Sequence, residues 1–562
     1  MAMAMANGPA KLRKTNDVTI KYGQRLLPQV VDTFAAEEPD YILGMMPKPG
    51  ANSSVPIDFI TLSTSQLSNA INFMSHWLDR TLGKSNSVTG QTIAYVGSQD
   101  FRYLVMECAS IKTGHPLLIP SPRNAPTNTA SLLERTNCKI VFYSGLFGEQ
   151  KDSISEFVGG LEFFEIPSLE EITLEKTMPY PYTKSWEEAK NDVFLILHTS
   201  GSTGNPKPIT LTNSFMRRMD CEHIIPPVDG RTLASLDLCR PGTTLLLGTN
   251  FYHLSGVAFT VSALFHRYTV IAPPADRLLD GQTISNIFKT TEVSGAALVP
   301  SLCDSVFAER GEEIIEHLRS LEHINWLGGP LGHSTGEWII KNLPNVRLWQ
   351  IFGSTETMMI PMLIPPKSHW SYMEFHPKIG PHLELVDAEE GLYEVVWRRH
   401  PDLNFAWTTP VFDFFPEEKE WRTRDLMRKC TDTGFENCWK FESRLDDILV
   451  LHNGLKANPV HIETRLQSHP ILKGCLVFGE GYTACGLLLE PKRSDIASEK
   501  LIELVWPAVV DANALVPEHV RVARNLVIVA SPDKPLVRAG KGTVVRRLTT
   551  RLYQKEIEET YR

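Results

Sequence analysis

Five consecutive apolar residues, Val193–Leu197, run without interruption into His198–Thr199–Ser200–Gly201–Ser202–Thr203–Gly204–Asn205–Pro206–Lys207–Pro208. A short, wholly apolar run predicts a strand buried on both faces, the kind found in parallel sheets covered by helices. The segment after it then has to turn. Gly201 and Gly204 permit tight backbone turns in which amide N–H groups converge on an anion. Thr199, Ser200, Ser202 and Thr203 add hydroxyl donors, and Lys207 adds one positive charge. This composition suits the β- and γ-phosphates of ATP. It is not a Walker A loop, which needs GxxxxGK[ST] opening into a helix, because Pro206 and Pro208 flank the lysine. A plain Ser/Gly surface loop is the bland alternative, but it gives no reason for so many donors directly after a buried strand.

Around this strand the pattern alternates. A strand at Ile93–Val96 precedes a helix from about Asp100 to Thr113, a short strand at Pro116–Pro120, a helical stretch Ala130–Thr136 and a strand at Lys139–Tyr143. Strand–helix alternation of this kind implies a parallel sheet. Pro167–Lys184 is polar and Pro-rich and reads as a connector, and similar units continue to Val346–Ile351. Around Ile379–Trp397 the pattern becomes β-rich, and beyond Arg444 shorter elements suggest a separate small domain. The 562 residues would ordinarily divide into two to four domains.

Composition excludes several classes. The net charge of −9 argues against general nucleic-acid binding, which needs a basic face, while leaving room for one local basic pocket for a nucleotide. No run approaches the roughly 20 apolar residues of a membrane helix. The best stretch, Gly256–Phe265, is bounded by His253 and by His266–Arg267 and reads as a buried element. The nine cysteines show no CxxC spacing, so reduced core thiols in a cytoplasmic protein are expected.

Further motifs follow the loop in order: Gly328–Gly329–Pro330–Leu331, Phe352–Gly353–Ser354–Thr355–Glu356, Trp421–Arg422–Thr423–Arg424–Asp425, Ser443–Arg444–Leu445–Asp446–Asp447 and Arg538–Ala539–Gly540–Lys541–Gly542. Together with the TSGSTGxPK-like loop they resemble the signatures of the adenylate-forming enzymes, which include acyl-CoA ligases, luciferases and the adenylation domains of nonribosomal peptide synthetases. The resemblance implies a role for each. The loop from Thr199 to Lys207 would hold the phosphates, and Gly329 and Pro330 would flank the adenine. Phe352 would pack near base and substrate, with Gly353 and Ser354 in the same nucleotide loop. Thr355 would contact phosphate and Glu356 would hold Mg²⁺, since a carboxylate beside a triphosphate needs a cation between them. Asp425 would accept both ribose hydroxyls, and Arg444 would touch the ribose. Asp446 would be the hinge, and Lys541 the catalytic lysine bridging the acid carboxylate and the α-phosphate. The sequence departs from the family pattern at Pro208, Arg424 and Ser443, where the motifs usually carry glycine.

The substrate reading rests on Asn250–Phe251–Tyr252–His253–Leu254–Ser255–Gly256. Amino-acid-activating relatives place an Asp here to pair with the α-ammonium. This stretch has no carboxylate, and a buried ammonium without a counter-charge is costly. An ordinary α-amino acid is therefore not expected. The resemblance makes His253 a gate, catalytic as well as substrate-facing, in a pocket lined by Leu298, Trp326, Gly328, Ile351, Met358 and Met359. Such a set suits a benzoic-type or small hydrophobic acid, with a betaine caged by aromatic rings as an alternative.

Pro208, the run Asn453–Gly454–Leu455–Lys456–Ala457–Asn458–Pro459 and the Arg538–Arg562 ending resemble one subgroup more than the rest: the adenylation domains of fungal synthetase-like carboxylic acid reductases. That resemblance implies acyl-AMP formation, then transfer to the phosphopantetheine thiol of a carrier domain and reduction to an aldehyde by an NADPH-dependent reductase domain. The carrier is expected to begin beyond residue 562. A free-standing acyl- or aryl-CoA ligase and a degenerate nucleotide-binding module are the alternatives. The implied fold is α/β: a loose tail over 1–15, a core over 16–442 of stacked sheets with helices plus a distorted β-barrel, and a small mobile α+β lid over 443–562.

Overall fold

The computed structural model describes residues 20–50, 56–83, 90–200, 206–400, 409–467, 469–538 and 543–562. Two large sheets, both parallel but for one edge strand each, form the centre. The first runs in the order Glu162–Glu165, Ile140–Tyr143, Ile93–Val96, Leu117–Leu118, Val193–Ser200, Pro206–Thr212. The second runs Arg347–Ile351, His323–Leu327, Gly295–Leu298, Thr244–Leu247, Thr269–Ile271, Ile42–Pro47, Phe59–Ser63. In each, only the last-named strand pairs antiparallel with its neighbour.

Period-2 alternation explains how the layers stack. In the second sheet Leu247, Ala297 and Ile351 point into a core shared with Tyr95, Phe142 and Leu195 of the first. The same core takes Leu67, Leu104 and Val257 from the helices Thr64–Leu82, Arg102–Thr113 and Leu254–His266. The intervening residues Leu246, Ala296, Leu298, Ile324 and Trp326 point the other way, into a second core with Ile284 and Ile287 of the helix Gly281–Thr290. On the outer face of the first sheet, Val96, Leu118 and Ile196 build a third core. The expected buried element at Gly256–Phe265 lies within Leu254–His266, which is buried from Gly256 onward.

A third, antiparallel sheet runs in the order Met362–Leu363, Met373–Phe375, Cys438–Arg444, Glu420–Lys429, Leu392–Arg398, His382–Asp387. Among the described residues no pairing closes it into a barrel. The strand Cys438–Arg444 crosses the expected boundary at 442/443, because Ser443 and Arg444 still pair with Leu426 and Asp425. Beyond it, Leu472–Phe478, Cys485–Pro491 and Val522–Val529 form a small sheet with its own core, in which Val477 and Leu487 meet Ile462, Leu466, Leu501 and Val505 of the helices Val460–Gln467 and Ser498–Asn513.

The connector 167–184 contains a short helix, Leu169–Leu174. Its start is fixed by Ser168 and Glu171, which form a reciprocal capping box. All nine cysteines are buried and free. No described helix is long and apolar enough to cross a membrane.

Candidate active site

The described motif segments stand at the C-terminal ends of the second sheet's strands, at the end of Val193–Ser200 and on the third sheet. Strand C-termini are where open α/β sheets bind ligands. The strand Val193–Ser200 carries Thr199 to its end and returns as Pro206–Thr212, with Thr199 opposite Lys207 and His198 opposite Pro208. The two described ends of the motif are therefore antiparallel neighbours, and the second is the edge strand of its sheet, where prolines beside the lysine are tolerated. Lys207 is exposed. Gly201, Ser202, Thr203 and Gly204 lie outside the described residues, as does the side chain of Ser200. His198 is held by an N–H donated from Ser121 to its Nε2 at 3.0 Å. Burial pushes its pKa down to about 4, so the ring is a neutral acceptor near pH 7.

The segment Phe352–Glu356 is a second tight turn. Gly353–Ser354 pairs antiparallel with Met358–Met359. Only glycine fits at 353, since a Cβ there would lie 2.0 Å from the Met358 carbonyl oxygen. The turn is locked by Thr357. Its hydroxyl accepts the Ser354 N–H at 3.1 Å, and its own N–H donates to Ser354 Oγ at 3.2 Å. This leaves Thr355 and Glu356 half-exposed at the tip. Their donor set, a carboxylate and a hydroxyl, is the hard-oxygen chemistry that fits Mg²⁺. Thr357, buried to 1% exposure, was not foreseen; a Thr closing a Ser-Thr-Glu-Thr turn was the readable signal.

Phe352 links this turn to the third sheet, with ring centroids 6.2 Å from Phe441 and 6.2 Å from Phe375. Three residues after Phe441, Arg444 lies opposite Asp425, with Nε 3.6 Å from the carboxylate. The Asp425 N–H donates to the Thr423 hydroxyl at 3.1 Å, which fixes the strand there. Arg424, which replaces the motif glycine, keeps a left-handed backbone (φ 63°). Its N–H donates to Glu394 at 3.2 Å and its guanidinium pairs with Asp446 at 2.6 Å. The expected hinge residue is thus tied to the expected ribose strand.

Gly328 is exposed with φ 89°, a conformation that favours glycine, and Gly329 and Pro330 follow half-buried. His253 precedes the helix Leu254–His266 and packs edge-on against Tyr252, with centroids 4.6 Å apart. Tyr252, Ile351 and Met358 share one core, and half-buried Met359 packs against it. Leu298 and Trp326 do not join them. Both point into the opposite core, where Trp326 meets Trp370 edge-on at 5.7 Å. Strand alternation turns Asn325 and Leu327, not Trp326, to the Ile351 face.

Lys541 lies outside the described residues. Its flanks, Arg538 and Val544, are antiparallel partners. Arg538 pairs with the nearly buried Glu490 at 2.5 Å. Arg546 pairs with Glu463 at 2.7 Å and Asp447 at 3.4 Å. These clamps join residues far apart in sequence, so no local signal announced them.

The AMP-binding enzyme family model matches residues 49–395, and the AMP-binding enzyme C-terminal domain model matches 446–562. The chain belongs to the AMP-binding enzyme family. The chain is 31% identical to an isocyanide synthase–NRPS hybrid, crmA, of Aspergillus fumigatus, over 98% of this chain and 34% of that protein. It is 29% identical to a carboxylic acid reductase of Neurospora crassa, over 96% of this chain and 51% of the reductase. The chain thus spans about a third to a half of the length of these curated relatives. Among solved structures, the A domain of a carboxylic acid reductase from Segniliparus rugosus, in complex with AMP and a co-purified carboxylic acid, superposes with a TM-score of 0.71 at 14% identity, covering 95% of this chain and 94% of that one. The fold is that of the adenylate-forming enzymes: α/β sheets with helices followed by a small C-terminal domain.

Proposed function

We propose that this chain activates a carboxylic acid, aryl or otherwise lacking an α-ammonium, to an acyl-AMP with release of pyrophosphate, and passes the acyl group to the phosphopantetheine thiol of a carrier domain ahead of reductive release as an aldehyde. The observation that carries this reading is the bridge through Phe352. It joins the turn bearing Thr355 and Glu356 to the strand pair bearing Asp425 and Arg444. A turn offering hydroxyl and carboxylate oxygens to a metal-bound phosphate, and a carboxylate able to take two ribose hydroxyls, are the two ends that a nucleotide needs.

In this reading the segment from Thr199 to Lys207 grips the β- and γ-phosphates. Glu356 holds Mg²⁺, which when bound offsets phosphate charge. Phe352, Gly353 and Ser354 shape the nucleotide loop, Gly329 and Pro330 flank the base, and Asp425 and Arg444 take the ribose. Lys541 sits between the acid carboxylate and the α-phosphate, where a positive charge offsets the repulsion of two anions and stabilises the crowded phosphorus centre. His253 borders the acid. The lid, 443–562, turns about Asp446 between the two half-reactions.

ATP–pyrophosphate exchange over a panel of aryl, aliphatic, betaine and α-amino acids tests the first half. Exchange above the no-acid rate is expected with aryl acids and not with α-amino acids. Exchange that never exceeds that rate would overturn the reading. Offering the product either a phosphopantetheinylated carrier or free coenzyme A tests the second half: acylated carrier is expected, and acyl-CoA alone would make the chain a CoA ligase.

A further inference from the structure

Asn325 is fully buried, at 0% exposure, and neither its side-chain oxygen nor its nitrogen has a hydrogen-bond partner. A buried amide offers one acceptor and two donor hydrogens. Leaving all of them unmade is costly, so such a group calls for a ligand or another explanation. The position in the sheet says where a ligand would sit. Asn325 lies in one row with Leu247, Ala297 and Trp349 across four neighbouring strands, all on the face shared by the two large sheets. In the next row towards the strand ends, Leu327 is paired with Ile351. These two residues immediately precede Gly328–Pro330 and Phe352–Glu356, the segments assigned above to the nucleotide. Ala297, beside Asn325, is one of the smallest side chains available, whereas Trp349 closes the other flank. The amide therefore stands one row deeper than the reacting end of the site, next to a neighbour that fills little space.

We propose that Asn325 is a specificity-determining residue: its amide hydrogen-bonds a polar substituent carried by the acid at the end away from the carboxylate. The preferred substrate is then an acid bearing a hydroxyl, amino or similar hydrogen-bonding group. A wholly apolar acid leaves the amide unpaired, and a betaine's quaternary ammonium has no N–H to donate and no lone pair to accept with. This inference rests on the acid-activating reading above and narrows its substrate class. A site built to hydrogen-bond a substrate group discriminates strongly against the analogue lacking it, because its own buried polar atoms are then stranded.

The test compares benzoic acid with its 3- and 4-hydroxy and -amino derivatives in ATP–pyrophosphate exchange, using wild type and Asn325→Leu. Wild type is expected to favour at least one substituted acid over benzoic acid by about tenfold or more in kcat/KM. Asn325→Leu should bring that ratio close to one, mainly by losing the substituted acid. Wild type preferring benzoic acid over every derivative would overturn the proposal, as would a folded Asn325→Leu that keeps the wild-type ratio. The wild-type panel stands by itself if Asn325→Leu does not fold, and Asn325→Ala then supplies the second comparison, with the same loss of ratio expected. No exchange with any acid would defeat the acid-activating reading; exchange without the preference would defeat only this one.

Discussion

Replacing Arg424 by alanine and, separately, by glycine separates two effects at one position. Arg424 has φ 63° and pairs with Asp446 at 2.6 Å. An L-residue in the left-handed region costs about 1–2 kcal/mol. The ion pair is more than half exposed on both sides (59% and 51%), so its contribution after solvent screening is about 0.2–1 kcal/mol. Both variants retain the backbone N–H to Glu394. Arg424→Ala keeps the strain and loses the pair, so it should be less stable than wild type by up to about 1 kcal/mol. Arg424→Gly loses the same pair but releases strain, offset in part by glycine's greater freedom when unfolded, so it should exceed Arg424→Ala by about 1 kcal/mol. Urea denaturation at pH 7 reads this as a higher midpoint for Gly than for Ala at equal slope. Raising the salt should shrink the gap between wild type and Ala but not that between Ala and Gly. Equal midpoints for the two variants would refute the strain argument.

Gly353→Ala places a methyl 2.0 Å from the Met358 carbonyl oxygen, so the turn carrying Thr355 and Glu356 must open; ATP–pyrophosphate exchange should fall by about tenfold or more. Lys541→Ala should abolish acyl-AMP formation yet spare thioester formation from supplied acyl-AMP, whereas Asp446→Pro should do the reverse by stiffening the hinge; equal loss of both half-reactions in Lys541→Ala would contradict a turning lid. His198 titrates near pH 4 when folded and near 6.5 when unfolded, so the unfolded chain binds the extra proton between those values and stability falls as the pH drops through that window. His198→Gln should flatten that dependence by up to about 1.4 kcal/mol per pH unit, measured by denaturation from pH 6.5 to 4.5; an unchanged slope would mean that the ring is not buried neutral.

What could be read from the sequence was what adjacent residues encode. Val193–Leu197 announced a strand because nothing in it tolerates water, and the motif segments stood out because their residue types are those that phosphate, cation and ribose would call for. The pocket was less legible for a physical reason. His323–Leu327 is covered on both faces, so apolar residues occur on both and hydrophobicity alone does not say which side chains share a side. His323 and Asn325 were the two polar residues in that run, and both are buried. Thr357 and the clamps of Arg546 and Arg538 were missed because their value lies in partners: a turn neighbour in the first case, and carboxylates tens of residues away in the others. The strand Cys438–Arg444 runs on to Arg444 through its pairing with Asp425, a partner that local composition does not name.

In the proposed reading, two ends of one nucleotide meet a carboxylic acid in this chain. Single-turnover incubation with α-labelled ATP, Mg²⁺ and an accepted acid, followed by mass spectrometry, tests it most directly. An acyl-AMP is expected to appear only when acid is present, with one pyrophosphate released for each. Labelled ADP with free phosphate, or AMP released at the same rate without acid, would contradict it.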